Sequence, residues 1–216
     1  MSDETKMPFN NDPVLNLIIK ELMSIHHCHT IILYGSRARG DHTSTSDYDV
    51  AGISKSGETK RIARIDPTYE AYLDIFIYPE NDLSPLRPEH LTMSDGIVLV
   101  DSNEFGTNLL AKLKLMANEP EAISEDEIQV RKVWYKKMLS RASVRDLEGK
   151  YRHIWAIFVI LEDYFDFRKL RYHGPKKAFQ YLEQHDQEAL SLFEQALSNT
   201  DDLKILEELI RHVVDV

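Results

Sequence analysis

Apolar residues near the start of the chain recur at helical spacing. Between residues 13 and 25 they return every three or four positions, which predicts an amphipathic helix. Short runs rich in β-branched residues follow, and Gly35 stops the first of them, as glycine often does at the end of a strand. We expect strands at residues 29–34, 47–53, 69–78 and 96–101.

Helical spacing dominates after residue 105. A helix is predicted at residues 105–116, and Pro120 marks a boundary because proline disfavours helix in the residue before it. Ser124 followed by Glu127 is a capping box, which predicts that a helix starts there and runs to about residue 145. Further helices are expected at residues 151–170, 175–185, 187–197 and 202–214.

This order of elements predicts an α+β fold. We expect a small mixed sheet flanked by helices, followed by a C-terminal helical bundle. The expected domains are residues 1–120 and 121–216. With 216 residues, of which 43% are hydrophobic, the chain is long enough to bury a core in each of two small domains.

The composition also bears on the compartment. Cys28 is the single cysteine, which excludes an internal disulfide and suits a reducing compartment. No apolar run approaches the ~20 residues of a membrane helix. The first residues are polar and acidic, unlike the apolar segment of a signal peptide. We therefore expect a cytoplasmic protein with no membrane partner.

The charge balance limits the class of partner. A formal net charge of -10 at pH 7 argues against binding long nucleic acid, because such binding needs clustered Lys and Arg to neutralise phosphates. A small or cationic ligand is easier to reconcile with that field. Long nucleic acid is therefore not expected among the partners.

A glycine-serine pair follows the first predicted strand. Gly35 allows a sharp turn and the close approach of a phosphate, and Ser36 is predicted to start a short helix whose free N–H groups attract anions. The Ser36 hydroxyl adds a donor. These features predict a phosphate-binding loop, although the spacing is neither that of a Walker A motif nor that of a dinucleotide fingerprint.

Three aspartates form the second part of the pattern. Asp47 and Asp49 are two residues apart on a predicted strand, so the period of two places their carboxylates on one face. Asp74 lies on another predicted strand, which we expect to be a neighbour in the sheet. Clustered carboxylates are the hard oxygen ligands that Mg²⁺ prefers, so we expect these residues to bind two Mg²⁺ ions together with the phosphates of a substrate.

The combined motif resembles the nucleotidyltransferase superfamily of DNA polymerase β. Its G-S-x-x-x-G, D-x-D and later single-D pattern falls in the right order on Gly35, Ser36, Gly40, Asp47, Asp49 and Asp74. The two-part organisation is similar to that of the minimal nucleotidyltransferases and of the antibiotic nucleotidyltransferases of the kanamycin and streptomycin type.

The resemblance implies a role for each residue of the motif. Asp47 and Asp49 would bind metal, and Asp74 would be a third ligand or a general base. Ser36 would contact the β and γ phosphates. The activity implied is transfer of a nucleoside monophosphate from an NTP, with ATP as the expected NTP, to a hydroxyl group. Residues 1–120 would be catalytic, and residues 121–216 would close over the substrate and nucleotide.

Three basic residues are candidates for phosphate contacts. Arg37 and Arg39 lie in the loop, where arginine can bind a phosphate with two parallel hydrogen bonds, and Arg37 is nearer the start of the predicted helix. Lys176 lies at the start of a predicted helix, where positive charge is unusual, so it is a candidate to reach a nucleotide phosphate. The alternative for each is an exposed surface position.

The sequence leaves the acceptor open. A small molecule similar to an aminoglycoside and a protein hydroxyl, which would give AMPylation, are both compatible with the motif. Glu162, Asp163 and Asp166 either bind a cationic acceptor, supply a general base or lie on a solvated helix face. A different class of function is an antitoxin-like module that binds nucleotide without turnover. In related antibiotic enzymes the site lies between two chains, so the resemblance also allows a homodimer.

Overall fold

The computed structural model describes residues 11–119 and 123–214. Its contacts divide the chain into two compact units, Met1–Asn118 and Glu119–Val216. The described part of the first unit contains strands and helices, and that of the second is helical, which confirms the expected α+β fold. The predicted boundary residue Pro120 lies outside the described residues, and the roles assigned to the two domains remain predictions.

The front unit is built on one mixed sheet, which has five strands within the described residues. They are β1 (Thr30–Tyr34), β2 (Tyr48–Ser54), β3 (Lys60–Asp66), β4 (Ala71–Pro79) and β5 (Ile97–Val100). The order across the sheet is β3-β4-β2-β1-β5. Strands β2 and β4 are parallel, and the other neighbouring pairs are antiparallel. The predicted mixed sheet is therefore confirmed.

Strand β3 is the element that the sequence analysis missed. Its charged residues Lys60, Arg61 and Arg64 hide the alternation of covered and exposed positions that the structure shows along it. It lies at the edge of the sheet, where charged side chains prevent pairing with the strand of another molecule. A polar edge strand carries little of the hydrophobic signal by which strands are recognised.

Helices cover both faces of this sheet. Helix α1 (Pro13–Ser24) buries Val14, Leu15, Ile18 and Leu22 against one face. The short helix α2 (Gly35–Arg39) follows β1 directly. On the other face, helix α3 (Phe105–Asn118) packs with two 3₁₀ helices, Glu80–Leu83 and Pro88–Met93. Because helices cover both faces of the sheet, the central strands are almost entirely apolar. The exceptions lie near the edge of the sheet at which α2 begins.

The second unit has five helices within the described residues. They are α4 (Glu125–Ala142), α5 (Leu147–Phe167), α6 (Pro175–His185), α7 (Gln187–Ser198) and α8 (Leu203–Val214). The predicted cap is present, since Ser124 Oγ accepts a hydrogen bond from the Glu127 backbone N–H at 3.2 Å. Helix α5 begins four residues before its predicted start because Asp146 caps it, accepting from the Gly149 N–H at 2.7 Å.

The helical unit has its own hydrophobic core. The largest fully buried side chains include Tyr135 and Phe193, around which α4, α5, α7 and α8 pack. Among the residues that the structure describes, no helix is long and apolar enough to cross a membrane.

Candidate active site

Two of the three aspartates meet where β2 and β4 begin. Asp49 and Asp74 are Cα partners in the parallel pair, so their side chains lie on the same face of the sheet. Tyr34, the last residue of β1, is the partner of Asp49 on the other side. The expectation that Asp74 lies on a strand adjacent to that of Asp49 is therefore confirmed.

Asp47 lies just outside the sheet. The predicted strand at residues 47–53 was wrong by one residue, because β2 begins at Tyr48. The period of two thus does not place Asp47, which belongs to the preceding loop. Its charge nevertheless acts on Asp49, whose pKa it raises.

Gly35 and Asp49 are in direct contact. Gly35 has φ +71°, a left-handed conformation that favours glycine. A Cβ atom at this position would come within 2.9 Å of Asp49 Cγ and closer still to Oδ2. The turn after β1 therefore needs glycine for two reasons, its backbone conformation and the space that the Asp49 carboxylate occupies.

Burial and like charges shift the titration of Asp49. Burial raises the pKa of this carboxyl, and the nearby Asp47 and Asp74 raise it further, to about 6. The charges of Arg39 and Arg37 only partly oppose this shift. A carboxyl pKa that is raised by neighbouring carboxylates is typical of a site that assembles negative charge to bind a cation.

Asp74 has a cationic partner that the sequence analysis did not identify. Arg61, on the edge strand β3, donates from Nε to Asp74 Oδ1 and from Nη2 to Oδ2, both at 2.8 Å. The guanidinium also lies over the Phe76 ring, 5.1 Å from its centroid. Arg61 was missed because its strand was not recognised. Once the β3–β4 register is known, Arg61 can be found, since it lies two positions from the residue that pairs with Asp74.

The donor set suits a hard divalent cation, but it is not assembled around one. Asp47, Asp49 and Asp74 offer only carboxylate oxygens, which are ligands that Mg²⁺ accepts. Within residues 11–119 and 123–214, no group of three His, Cys, Asp or Glu side chains lies close enough to hold a metal ion. Both oxygens of Asp74 accept hydrogen bonds from Arg61, so neither is free for a cation in this arrangement.

Arg37 holds the loop that carries Asp47. Its Nε and Nη2 donate to the Ser46 carbonyl at 3.2 and 2.8 Å, and Nε also donates to the Asp47 carbonyl at 3.1 Å. The guanidinium stacks on the Tyr48 ring, 3.7 Å from its centroid. In this arrangement Arg37 fixes the backbone that enters β2, which is a positioning role.

Ser36 and Arg39 lie in the short helix after Gly35. The Ser36 carbonyl accepts from the Asp41 N–H at 3.1 Å, which closes the end of α2. Arg39 pairs with Asp95 at 3.2 Å and with Asp41 at 3.4 Å, and its charge lowers the pKa of Asp49. Contacts of Ser36 and Arg39 with phosphate remain predictions.

The site described so far matches a known domain. A family model described as "Nucleotidyltransferase domain" matches residues 15–97, which include Gly35, Ser36 and all three aspartates. The chain contains a nucleotidyltransferase domain. This domain, of the polymerase β type, supports transfer of a nucleoside monophosphate in general.

Other comparisons add little to this finding. One solved structure with similarity to the nucleotidyltransferase is a nucleotidyltransferase-like protein from Exiguobacterium sibiricum 255-15. It is 14% identical, the superposition covers 92% of this chain and 74% of that chain, and the TM-score is 0.44. At this level of similarity it supports no argument about function. No curated protein matches the sequence.

The remaining candidates lie in the helical unit, outside the matched region. Lys176 is the second residue of α6 in the nucleotidyltransferase, and its contact with a phosphate remains a prediction. Asp163 is buried and accepts from Tyr135 Oη at 2.5 Å. Arg131 donates to Asp163 and to Asp166, both at 2.5 Å. These two acids thus form an internal ionic network and do not lie on a solvated helix face.

Proposed function

We propose that this nucleotidyltransferase moves AMP from ATP to a hydroxyl group of a small, cationic acceptor similar to an aminoglycoside, with release of pyrophosphate. The observation that supports this most directly is the register of β2 and β4, which brings Asp49 beside Asp74 next to the glycine turn at Gly35. We place the reaction in the cytoplasm, in keeping with the single, buried Cys28.

The acids and the turn have separate tasks in this proposal. Gly35 makes the sharp turn that leads from β1 into the short helix α2, and Ser36 donates its hydroxyl to the β or γ phosphate. Asp47, Asp49 and Asp74 would hold two Mg²⁺ ions. When bound, these ions neutralise the triphosphate, lower the pKa of the incoming hydroxyl and stabilise the leaving pyrophosphate.

Asp74 accepts the proton of the acceptor. The acceptor oxygen forms a bond to the α phosphorus while the bond from that phosphorus to the bridging oxygen breaks, so the electron pair leaves with pyrophosphate. The acceptor proton moves to Asp74, a transfer that typically contributes about 10²–10⁴ in rate. Arg61 must release at least one oxygen of Asp74 first, and its exposed position on an edge strand permits this movement.

The acidic character of the protein favours a cationic acceptor. With a formal net charge of -10, the protein attracts cations and repels polyanions. We assign the binding of the acceptor to the helical residues 121–216. A protein hydroxyl is the alternative acceptor, because the same transfer to serine, threonine or tyrosine would be AMPylation.

Transfer of label from [α-³²P]ATP tests the proposal. The protein is incubated with Mg²⁺ and ATP alone, with a panel of aminoglycosides, and with cell extract, and pyrophosphate release is measured in parallel. We expect acceptor-dependent label and pyrophosphate with an aminoglycoside, and neither with Asp49→Asn. Label on protein in the extract would favour AMPylation, and ATP binding without pyrophosphate in every mixture would identify a binding module of the antitoxin-like kind.

A further inference from the structure

The helical unit contains a small cavity where the turn between α4 and α5 meets the turn between α7 and α8. We call it the His153 cavity. Its volume is about 250 Å³, and the transfer proposed above uses none of the side chains around it. The residues that line it are Ala142, Arg145, Lys150, His153, Thr200, Asp201 and Leu203.

His153 brings an unsatisfied ring nitrogen to this cavity. The residue is 4% exposed, and within the described part of the chain its Nε2 has no hydrogen-bond partner. Buried polar atoms of native proteins are almost always paired, so one without a partner calls for an explanation. Burial lowers the pKa of His153, so the ring is neutral at pH 7 and can carry its proton on Nε2 as a donor.

Two cationic side chains line the same cavity. Lys150 and His153 are three positions apart on α5 and therefore lie on one face of that helix, and Arg145 lies in the turn before it. Between residues 123 and 214, neither Arg145 nor Lys150 forms an ion pair, whereas Arg131 and Arg141 of the same unit pair with carboxylates. Cations without a partner beside a cavity are available to an anionic ligand.

The acids near the cavity oppose this charge only in part. Asp201 lines the cavity, and with Asp202 it raises the pKa of His153 against the larger effect of burial. The Asp202 carboxylate caps α8 by accepting from the Lys204 N–H at 2.9 Å, so the helix end already stabilises its charge. The net charge of -10 is spread over the whole chain, and at 0.1 M salt charges beyond about 10 Å are largely screened.

We propose that the His153 cavity binds a small organic oxyanion, a carboxylate or a phosphate monoester, held by Arg145, Lys150 and the ring N–H of His153. Such an oxyanion accepts hydrogen bonds from all three groups. Ligand pockets for larger molecules usually measure about 300–1,000 Å³, so the occupant is small. Leu203 and Ala142 supply an apolar wall for its organic part.

A second cavity gives the ligand a route from solvent. It has a volume of about 770 Å³ and is lined by exposed residues of the turn between α7 and α8. It shares Arg145, Thr200, Asp201 and Leu203 with the His153 cavity. An anion that enters from this side therefore meets Arg145 before it reaches His153.

Nuclear magnetic resonance of the labelled full chain tests this proposal through the assigned ring signals of His153. The protein is titrated separately with phosphate and with acetate, and sodium chloride keeps the ionic strength constant. We expect a saturable shift with a dissociation constant in the millimolar range, and the anion that binds more tightly identifies the source as phosphate or carboxylate.

Arg145→Gln and Lys150→Gln should each raise that dissociation constant at least about fivefold, because each removes a charged donor. Asp201→Asn should lower it, since a repelling charge is lost. Lys137→Gln is the matched control, because Lys137 is an exposed lysine of the same unit that lines neither cavity. Thermal unfolding of every variant is measured alongside, and the three cavity variants lie on two different turns and a helix, so the test does not depend on one of them.

Three results would overturn the proposal. The first is the absence of a shift at His153 up to about 100 mM of either anion, a concentration that saturates a millimolar site. The second is equal affinity of wild type, Arg145→Gln and Lys150→Gln, which would indicate an adventitious ion only. The third is weaker binding to Asp201→Asn. Binding here does not require AMP transfer, so an inactive protein that still binds the anion supports the inference.

Discussion

Asp49 lies so close to Gly35 that its carboxylate occupies the space of the side chain that glycine lacks. Gly35 comes directly after the last residue of β1, and Asp49 is the second residue of β2, the next strand along the chain. The turn proposed to bind phosphate and the acid proposed to bind metal are therefore a single packed unit. A change at one of them is expected to move the other.

Gly35→Ala tests this coupling. The added methyl group displaces the Asp49 carboxylate and places alanine at φ +71°, which costs about 1–3 kcal/mol of stability. We expect AMP transfer to fall at least about 100-fold while the protein stays folded, measured as kcat together with circular dichroism.

Gly40→Ala separates strain from displacement. Gly40 has φ +79°, but a Cβ atom there meets nothing within 4 Å. This variant shares the backbone strain without the clash, so we expect it to retain activity within about tenfold. Equal losses of activity in the two variants would mean that contact with Asp49 does not explain the need for Gly35.

The raised pKa of Asp49 predicts a pH-dependent stability of the metal-free protein. Its pKa is about 6 in the fold against an ordinary value of 3.8, so the folded state binds the proton more tightly than the unfolded state does. This contribution to stability is present below about pH 4 and is lost as the pH rises through about 6. Above that pH the folded protein must keep a partly buried charge beside two others.

Asp49→Asn removes this charge. In urea unfolding with a chelator present, we expect the variant to be more stable than the wild type by on the order of 1–3 kcal/mol above pH ~6.5, with the difference vanishing towards pH ~4. Glu58→Gln, on an exposed loop, controls for the change in net charge. A variant that is less stable than the wild type at neutral pH would contradict the assigned environment of Asp49.

Much of this site follows from sequence because its signals are local. Gly35, Ser36, Asp47 and Asp49 lie within fifteen residues, and a turn followed by acids at the start of a strand leaves a recognisable pattern. The core helices and apolar strands were predictable for the same reason, since burial imposes a period on each of them.

The parts that were missed depend on contacts distant in sequence. The pairing of Asp74 with Arg61 follows from the β3–β4 register, and β3 itself carries only a weak apolar signal. The hydrogen bonds from Arg37 to two loop carbonyls were not predicted either, because the sequence does not specify the path of that loop, and the contact of Arg37 with phosphate stays a prediction. Asp163 looked like part of a solvated face because its partner Arg131 lies on another helix.

Arg61→Ala is expected to lower kcat about tenfold with little change in KM for ATP. Without Arg61 the Asp74 carboxylate is no longer held in one orientation, so the oxygen that Arg61 would release is less often placed to accept the proton. Because the Arg61 side chain is more than half exposed, the loss of stability should be small. Arg61→Lys should restore only part of kcat, since an ammonium cannot reproduce a pair of parallel hydrogen bonds.

The same strand supplies the control for this experiment. Arg64 also forms a paired contact with a carboxylate, that of Glu21 on α1, but on the opposite face of the sheet. We expect Arg64→Ala to reduce stability and to leave kcat unchanged. If both arginine variants lose kcat to the same extent, the effect of Arg61 is structural and does not act through Asp74.

Arg37→Lys should alter the metal requirement. Loss of the hydrogen bonds to the Ser46 and Asp47 carbonyls frees the loop, so Asp47 binds Mg²⁺ less well. We expect the Mg²⁺ concentration at half-maximal activity to rise about tenfold, measured by titration at saturating ATP. Arg87→Ala, which breaks an exposed pair with Glu89, should leave that concentration unchanged. An Arg37→Lys enzyme with a normal Mg²⁺ requirement but a raised KM for ATP would show that Arg37 binds phosphate instead.

The central claim is that Asp47, Asp49 and Asp74 form one cation site that nucleotide completes. Binding of Mn²⁺, followed by electron paramagnetic resonance with and without a non-hydrolysable ATP analogue, tests it most directly. We predict that the analogue tightens Mn²⁺ binding to the wild-type protein and that Asp49→Asn weakens it at least about 100-fold. Equal Mn²⁺ affinity of the wild type and Asp49→Asn in the presence of the analogue would contradict the account.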